Sequence, residues 1–149
     1  MIAGDDMKKI NGFTLFELLV VIGIIGILAM VSMPSVSLLI KQHRLTTNIN
    51  HLQSVYKFAR SESAKRDRVI QLDEVDGNWL VKLNDETLVS FIPTHSSISV
   101  TGLADKTIQA TGETTSGNYL VTDGDSATTD FRLCIYVSGQ SYVTTGACA

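Results

Sequence analysis

The sequence predicts an α+β protein in which one long N-terminal helix packs on an antiparallel, two-sheet β head. Three observations point that way. Residues 18–40 run without a charged side chain, which makes 23 apolar or neutral positions in a row. Residues 41–66 then switch to an apolar stripe at steps of three or four, the period of an amphipathic helix. After Arg68 the chain breaks into short runs rich in Val, Ile, Thr and aromatic residues, separated by turn residues. Hydrophobic residues are 44 % and charged residues 18 % of the 149, which excludes bulk disorder.

Charge divides the chain along the same lines. Residues 13–40 carry one charged side chain, Glu17; residues 41–68 carry seven basic against two acidic; residues 69–149 carry three basic against ten acidic. The total is −3 with a pI near 5.5, which argues against a uniformly basic nucleic-acid binder. We divide the chain into a leader (1–12), an apolar helix for a membrane or filament core (13–40), an amphipathic helix (41–68) and a β-rich head (69–149).

A bilayer core takes roughly 20 helical residues, so the apolar run is long enough to cross one. Gly23, Gly26 and Pro34 suit a membrane helix better than an exposed one. A secretory signal peptide is excluded by the length of the run and by the lack of a small-residue cleavage site closing it. An ordinary anchor leaves Glu17 unexplained. A carboxylate driven to mid-bilayer costs about 2–3 kcal/mol, and such groups are usually functional. Glu17 needs a cationic partner.

The amphipathic stripe is Leu45, Ile49, Leu52, Val55 or Tyr56, and Ala59, with Lys41, Arg44, Lys57, Arg60, Lys65 and Arg66 mainly off it. A helix over about 14–66 would be roughly 80 Å long at 1.5 Å per residue. Strands are expected at 69–72, 78–83, 87–92, 98–101, 107–110, 119–122, 131–137 and 141–145. Asp76-Gly77 is a hairpin signal between the first two, and Pro93 stops the third. Residues 102–130 are rich in Gly, Thr, Ser and Asp and give little indication of pairing. Trp79 is expected in the core.

Catalysis has no support. His43, His51 and His95 are isolated, and no metalloprotease, nucleophile-elbow or phosphate-loop motif is present. Asp123, Asp125 and Asp130 lack the full spacing of an EF-hand loop and read as a solvated turn. Neither metal nor cofactor is expected. In an exported chain the pair Cys134 and Cys148 reads first as a disulfide, whose closed loop of about 15 residues would contribute roughly 3 kcal/mol.

The segment Gly12-Phe13-Thr14-Leu15-Phe16-Glu17-Leu18-Leu19, behind Lys8 and Lys9, resembles the class III signal of type IV pilins and type II secretion pseudopilins. The resemblance implies cleavage between Gly12 and Phe13 by a prepilin peptidase that also N-methylates the new Phe13 amine. It supplies the missing cation too: Glu17 would pair with the Phe13 ammonium of a neighbouring subunit. Either Met1 or Met7 can start the chain, because 7–12 is a complete leader. More narrowly, Leu52 to Arg66, Asp76 to Val81 and the Leu133–Cys148 hairpin are similar to the GspH/FimT/FimU group. That implies a minor pilin in the inner membrane with a periplasmic head, helping to start or cap a type IV pilus beside other minor pilins and the major pilin. A type II secretion minor pseudopilin is the alternative, and a DNA-binding pilin of natural transformation ranks third. DNA-binding members carry Gly-Arg-x-Arg in the last hairpin, where this chain has Gly139-Gln140-Ser141-Tyr142. Lys57, Arg60, Lys65, Arg66 and Arg68 remain as a weak basic patch for DNA or a partner.

Overall fold

The computed structural model describes residues 13–148, the side chains of 31–34 excepted. The described residues divide into two compact units that meet between Ser37 and Leu38, and the helix α1 (Leu15–Arg66) supplies residues to both. Thr14 caps the helix. Its Oγ1 accepts the Glu17 N–H at 3.2 Å, and its carbonyl accepts the Leu18 N–H at 3.2 Å. Thr14-Leu15-Phe16-Glu17 has the Thr-x-x-Glu spacing of a capping box, and the early carboxylate suits the positive end of the helix dipole. At the other end Asp67 turns left-handed (φ 51°) and the Arg68 N–H returns to the Ser63 carbonyl at 3.1 Å. This 6→1 bond satisfies a carbonyl that the last turn would otherwise orphan.

Eight strands follow, close to the expected runs: β1 (Ile70–Val75), β2 (Asn78–Leu83), β3 (Glu86–Phe91), β4 (Ser99–Thr101), β5 (Lys106–Ile108), β6 (Gly117–Thr122), β7 (Phe131–Ile135) and β8 (Ser141–Thr144). They form two antiparallel sheets of four, in the orders β3-β2-β1-β5 and β4-β6-β7-β8. Asp76 (φ 51°) and Gly77 (φ 79°) make the two-residue turn with both φ positive that matches strand twist, so Val75 pairs with Asn78. This turn draws β1 out to Val75, three residues past its expected end. The expected last strand pair is shortened instead: β7 stops at Ile135, because residues 136–140 close the turn, with the Tyr136 N–H on the Gln140 carbonyl and the Gly139 N–H on the Tyr136 carbonyl.

Alternation along the strands sends Ile70, Leu72, Trp79 and Val81 from one sheet and Tyr119, Val121, Leu133 and Ile135 from the other into a single core. The helix adds Leu45, Ile49, Leu52, Val55, Tyr56 and Ala59, each at most 2 % exposed. Trp79 is fully buried; its Nε1–H donates to the Ala104 carbonyl at 3.0 Å and its ring meets Tyr119 edge-on at 4.8 Å. That contact joins the two sheets through their largest side chains.

Candidate assembly interface

The N-terminal half of α1 is an uncovered apolar rod. Every large apolar side chain described from Phe13 to Met30 is exposed, between 42 and 82 %. No single described helix is long and apolar enough to cross a membrane by itself; Leu15–Met30 together with Ser35–Arg66 is, by length and composition. Glu17 sits in the first helical turn and is exposed, and a Cβ added at Gly23 or Gly26 would meet nothing within 4 Å. Phe13 is exposed one residue ahead of the cap. Gly12, the expected scissile residue, lies outside the described residues, as do Met1, Met7 and the leader lysines.

The second half of α1 is attached by polar side chains as well as by its stripe. Lys41 Nζ meets Asp125 Oδ2 at 2.6 Å, which holds the Asp125 carboxyl below its ordinary range and the Lys41 ammonium above its own. Gln42 grips Thr129 twice: its amide donates to the carbonyl at 3.0 Å and its oxygen accepts the N–H at 2.8 Å. Asn48 grips Thr94 the same way, donating to Oγ1 at 2.8 Å and accepting the N–H at 2.9 Å. The buried Tyr56 hydroxyl donates to the Gly139 carbonyl at 2.9 Å, and burial pushes its pKa up to about 12. Arg60 donates from Nε to the Gly112 carbonyl (3.3 Å) and from Nη2 to that of Ser138 (3.2 Å).

These bonds sort the basic patch. Arg60 is committed to two turns, while Lys65 and Arg66 lie 3.7 and 2.5 Å from the Glu62 carboxylate. The bond from Arg66 is the main reason Glu62 titrates below its ordinary range. Lys57 and Arg68 are exposed and have no side-chain partner among the described residues. The aspartates expected in a solvated turn lie in a partly exposed loop that is also internally hydrogen-bonded. Asp123 Oδ1 accepts from the Asp125 N–H (3.1 Å) and Thr128 Oγ1 (2.6 Å), and Asp125 Oδ1 accepts from Ala127 (2.9 Å), which adds to the Lys41 bridge. Among the described residues no group of three or more His, Cys, Asp or Glu is placed to hold a metal. His43 and His95 are exposed, and His51 lies half-buried against the Phe91 ring at 5.3 Å.

Cys134 in β7 and Cys148 are joined by a disulfide, Cα to Cα 5.6 Å, across a separation of 14 residues. It fastens the segment beyond β8 to a central strand. Lys106 had no expected role, yet it is 6 % exposed and makes no salt bridge among the described residues. Its ammonium donates to Thr115 O (2.6 Å), Thr115 Oγ1 (2.8 Å) and Ser116 O (3.3 Å), and burial lowers its pKa. It ties β5 to the loop before β6. Neither this lysine nor the grips of Gln42 and Asn48 have a local sequence signal, because their partners lie 9 to 87 residues away. The Thr14 cap does have one, in its spacing from Glu17.

Comparison with known proteins agrees with this architecture. Residues 7–33 match a family model described as the prokaryotic N-terminal methylation motif, and residues 48–143 match the model of type II transport protein GspH. No curated protein matches the chain. Its fold is similar to two crystal forms of the type IV minor pilin FimU of Pseudomonas aeruginosa strain PAO1, both at 14 % identity. One comparison has a TM-score of 0.62 over 68 % of this chain and 89 % of FimU; the other has 0.59 over 67 % and 92 %. A methylation motif on an uncovered apolar helix, followed by a matching two-sheet head, identifies this chain as a member of the GspH family of minor pilins and pseudopilins.

Proposed function

We propose that this chain is a non-catalytic minor pilin that helps initiate or cap a type IV pilus, after cleavage between Gly12 and Phe13 and N-methylation of Phe13. One observation carries the reading: an apolar segment exposed from Phe13 to Met30 and again from Ser35 to Ile40, with Glu17 as the one charged side chain between Phe13 and Ile40. Such a surface is tolerated in lipid or against other helices, and not in water. In the bilayer Glu17 is costly and lacks a partner; beside a neighbour's Phe13 ammonium it is paired. The pairing therefore favours assembly over the dispersed membrane state. The protein would wait as a single-pass inner-membrane protein with a periplasmic head, then enter the filament among other pilins.

The match of residues 48–143 to type II transport protein GspH favours a second reading, a minor pseudopilin of a type II secretion system. Both readings use the same helix chemistry. A DNA-binding role is disfavoured by Gln140 and Tyr142 in the positions of the family's arginines, and by the bonds already held by Arg60, Lys65 and Arg66.

The test uses the full-length chain in cells that assemble filaments. Mass spectrometry of the filament fraction should find N-methylated Phe13 as the N-terminus. Glu17→Gln, which keeps a polar side chain at the helix start, should leave membrane insertion intact and deplete the subunit from filaments. Recovery of an uncleaved leader in filaments, or undiminished entry of Glu17→Gln as sole copy, overturns the proposal. Purification with secretion components and without pilus subunits moves it to the second reading.

A further inference from the structure

A groove of about 510 Å³ opens between the C-terminal part of α1, the turn at Gly112 and the β7–β8 hairpin. That volume falls in the range of ligand sites. Tyr136 and Tyr142 form one wall, their rings stacked 5.6 Å apart at 24°. Lys57 and Arg60 lie on the helix side, and Gln140 comes from the hairpin.

The frame of the groove is fixed by the fold. Tyr56 and Arg60 hold the turns at Gly139, Ser138 and Gly112, and Gly139 (φ 77°) is packed so closely that an added Cβ would run into the Gly112 carbonyl. A preformed groove binds without a further ordering cost.

Residues 69–149 carry ten acidic side chains against three basic, yet they bring no carboxylate to the lining of the groove. Its two charged side chains are both cations and come from the basic helix segment. Glu113, next to the lining, turns to the Thr111 hydroxyl at 3.4 Å. Arg60 is engaged with the frame, while Lys57 is exposed and unpaired among the described residues. The wall offers flat, rigid aromatic surface, the kind that dominates binding energy at protein interfaces. One available cation is too few for a nucleic-acid backbone, where affinity grows with the number of neutralised phosphates. It suffices for one carboxylate.

We propose that this groove receives an acidic, partly apolar peptide segment of a neighbouring pilin-like subunit, its carboxylate on Lys57 and an apolar side chain against the Tyr136–Tyr142 wall. The proposal rests on the assembly reading above and names the chemistry of its partner. It assigns the last hairpin of this chain to subunit docking.

The test places a photo-reactive benzoylphenylalanine at Gln140 of the full-length chain, in cells that assemble filaments, and sequences the cross-linked peptide. The expected product is a segment of another pilin-like subunit with Asp or Glu within a few residues of the cross-link. Lys57→Glu should lower its yield about tenfold, as expected for losing a central contact, and changing the partner's carboxylate to Lys should restore it. Tyr142→Ala should lower the yield as well. Cross-linking to DNA, a segment without a carboxylate, or a yield indifferent to Lys57→Glu overturns the proposal. A chain that enters filaments yet gives no product at Gln140 also overturns it and leaves the assembly reading standing. A chain that never enters filaments ends both.

Discussion

The two halves of α1 share one backbone hydrogen-bond pattern and differ in what covers them. From Phe13 to Met30 each described large apolar side chain is at least 42 % exposed; from Leu45 to Ala59 the stripe is at most 2 % exposed. Composition does not explain this, since the first half is the more apolar. Periodicity does. A stripe at steps of three and four has one face, and one face can be covered by the sheets that follow it in the same chain. A helix that is apolar all round has no preferred face and must be covered on every side, which here means lipid or other helices. The second half belongs to the compact unit of the head, and the first half, on the function proposed above, would serve assembly.

The strongest way to break that contrast is to truncate the same residue type in each half. Leu52→Ala should cost about 2–5 kcal/mol of head stability, because Leu52 is fully buried. Leu19→Ala, at 57 % exposure, should leave head unfolding unchanged in a denaturant titration and act only on entry into filaments. Equal destabilisation by both would mean that the halves fold as one.

The disulfide gives the next largest effect. Replacing Cys134 and Cys148 together with Ser should cost the head about 2–4 kcal/mol in thermal melts and expose the segment after Thr144 to proteolysis. Glu17→Gln should not move that melting temperature. If it does, Glu17 acts on the head and the contrast fails. Gly139→Ala should cost about 1–3 kcal/mol, since the new Cβ meets the Gly112 carbonyl at a positive φ. It should also weaken docking at the groove, a combination no exposed substitution in the first half should show.

The smallest effect concerns the start of the head unit. Asp125 titrates below its ordinary value of 3.8, chiefly through the Lys41 bond and then the Ala127 N–H. A depressed carboxylate stabilises the fold above its unfolded pKa and stops doing so as pH falls through the lower folded value. Lys41, raised by the same contact, contributes until pH climbs through its elevated value. Protection of the amides in residues 123–129, with exchange corrected for its intrinsic pH dependence, should therefore fall on acidification below about pH 4 and stay flat from neutral pH to mild alkali. Asp125→Asn should abolish the acid step. Added salt should weaken the bridge, as it is solvent-exposed.

Much of this was legible in the residues, and for identifiable reasons. The stripe Leu45-Ile49-Leu52 announces a covered helix face, and Asp76-Gly77 dictates a turn that both φ values then show. Trp79 is buried as its apolar run implies. The region 102–130 was opaque because β5 has only three residues, pairs with β1 more than 30 residues back in the chain, and meets the chain that follows it in one isolated bridge from Ile108 to Thr114. Too little of it is periodic to read. The basic patch was legible as five cations within twelve residues, but not how they are engaged: Arg60 serves two turns and Glu62 holds two of the others, contacts set by the fold and by one neighbour on the helix. The proposed processing site and the proposed role of Glu17 rest on the resemblance at Gly12 to Leu19; no folded contact among the described residues reveals them.

The grips along α1 have a mechanical consequence. Lys41, Gln42, Asn48, Tyr56 and Arg60 tie the helix to loops from four parts of the head, spread over 20 residues or about 30 Å of helix axis. A pull along the helix axis would load all of these bonds together, in shear, with the interdigitated stripe between them. To draw the helix out, they must fail almost at once. A crosswise pull would open them one by one, like a zipper. The attachment is thus strongest along the axis of this helical segment, and single-molecule pulling from residue 38 along that axis should need a greater force than pulling across it.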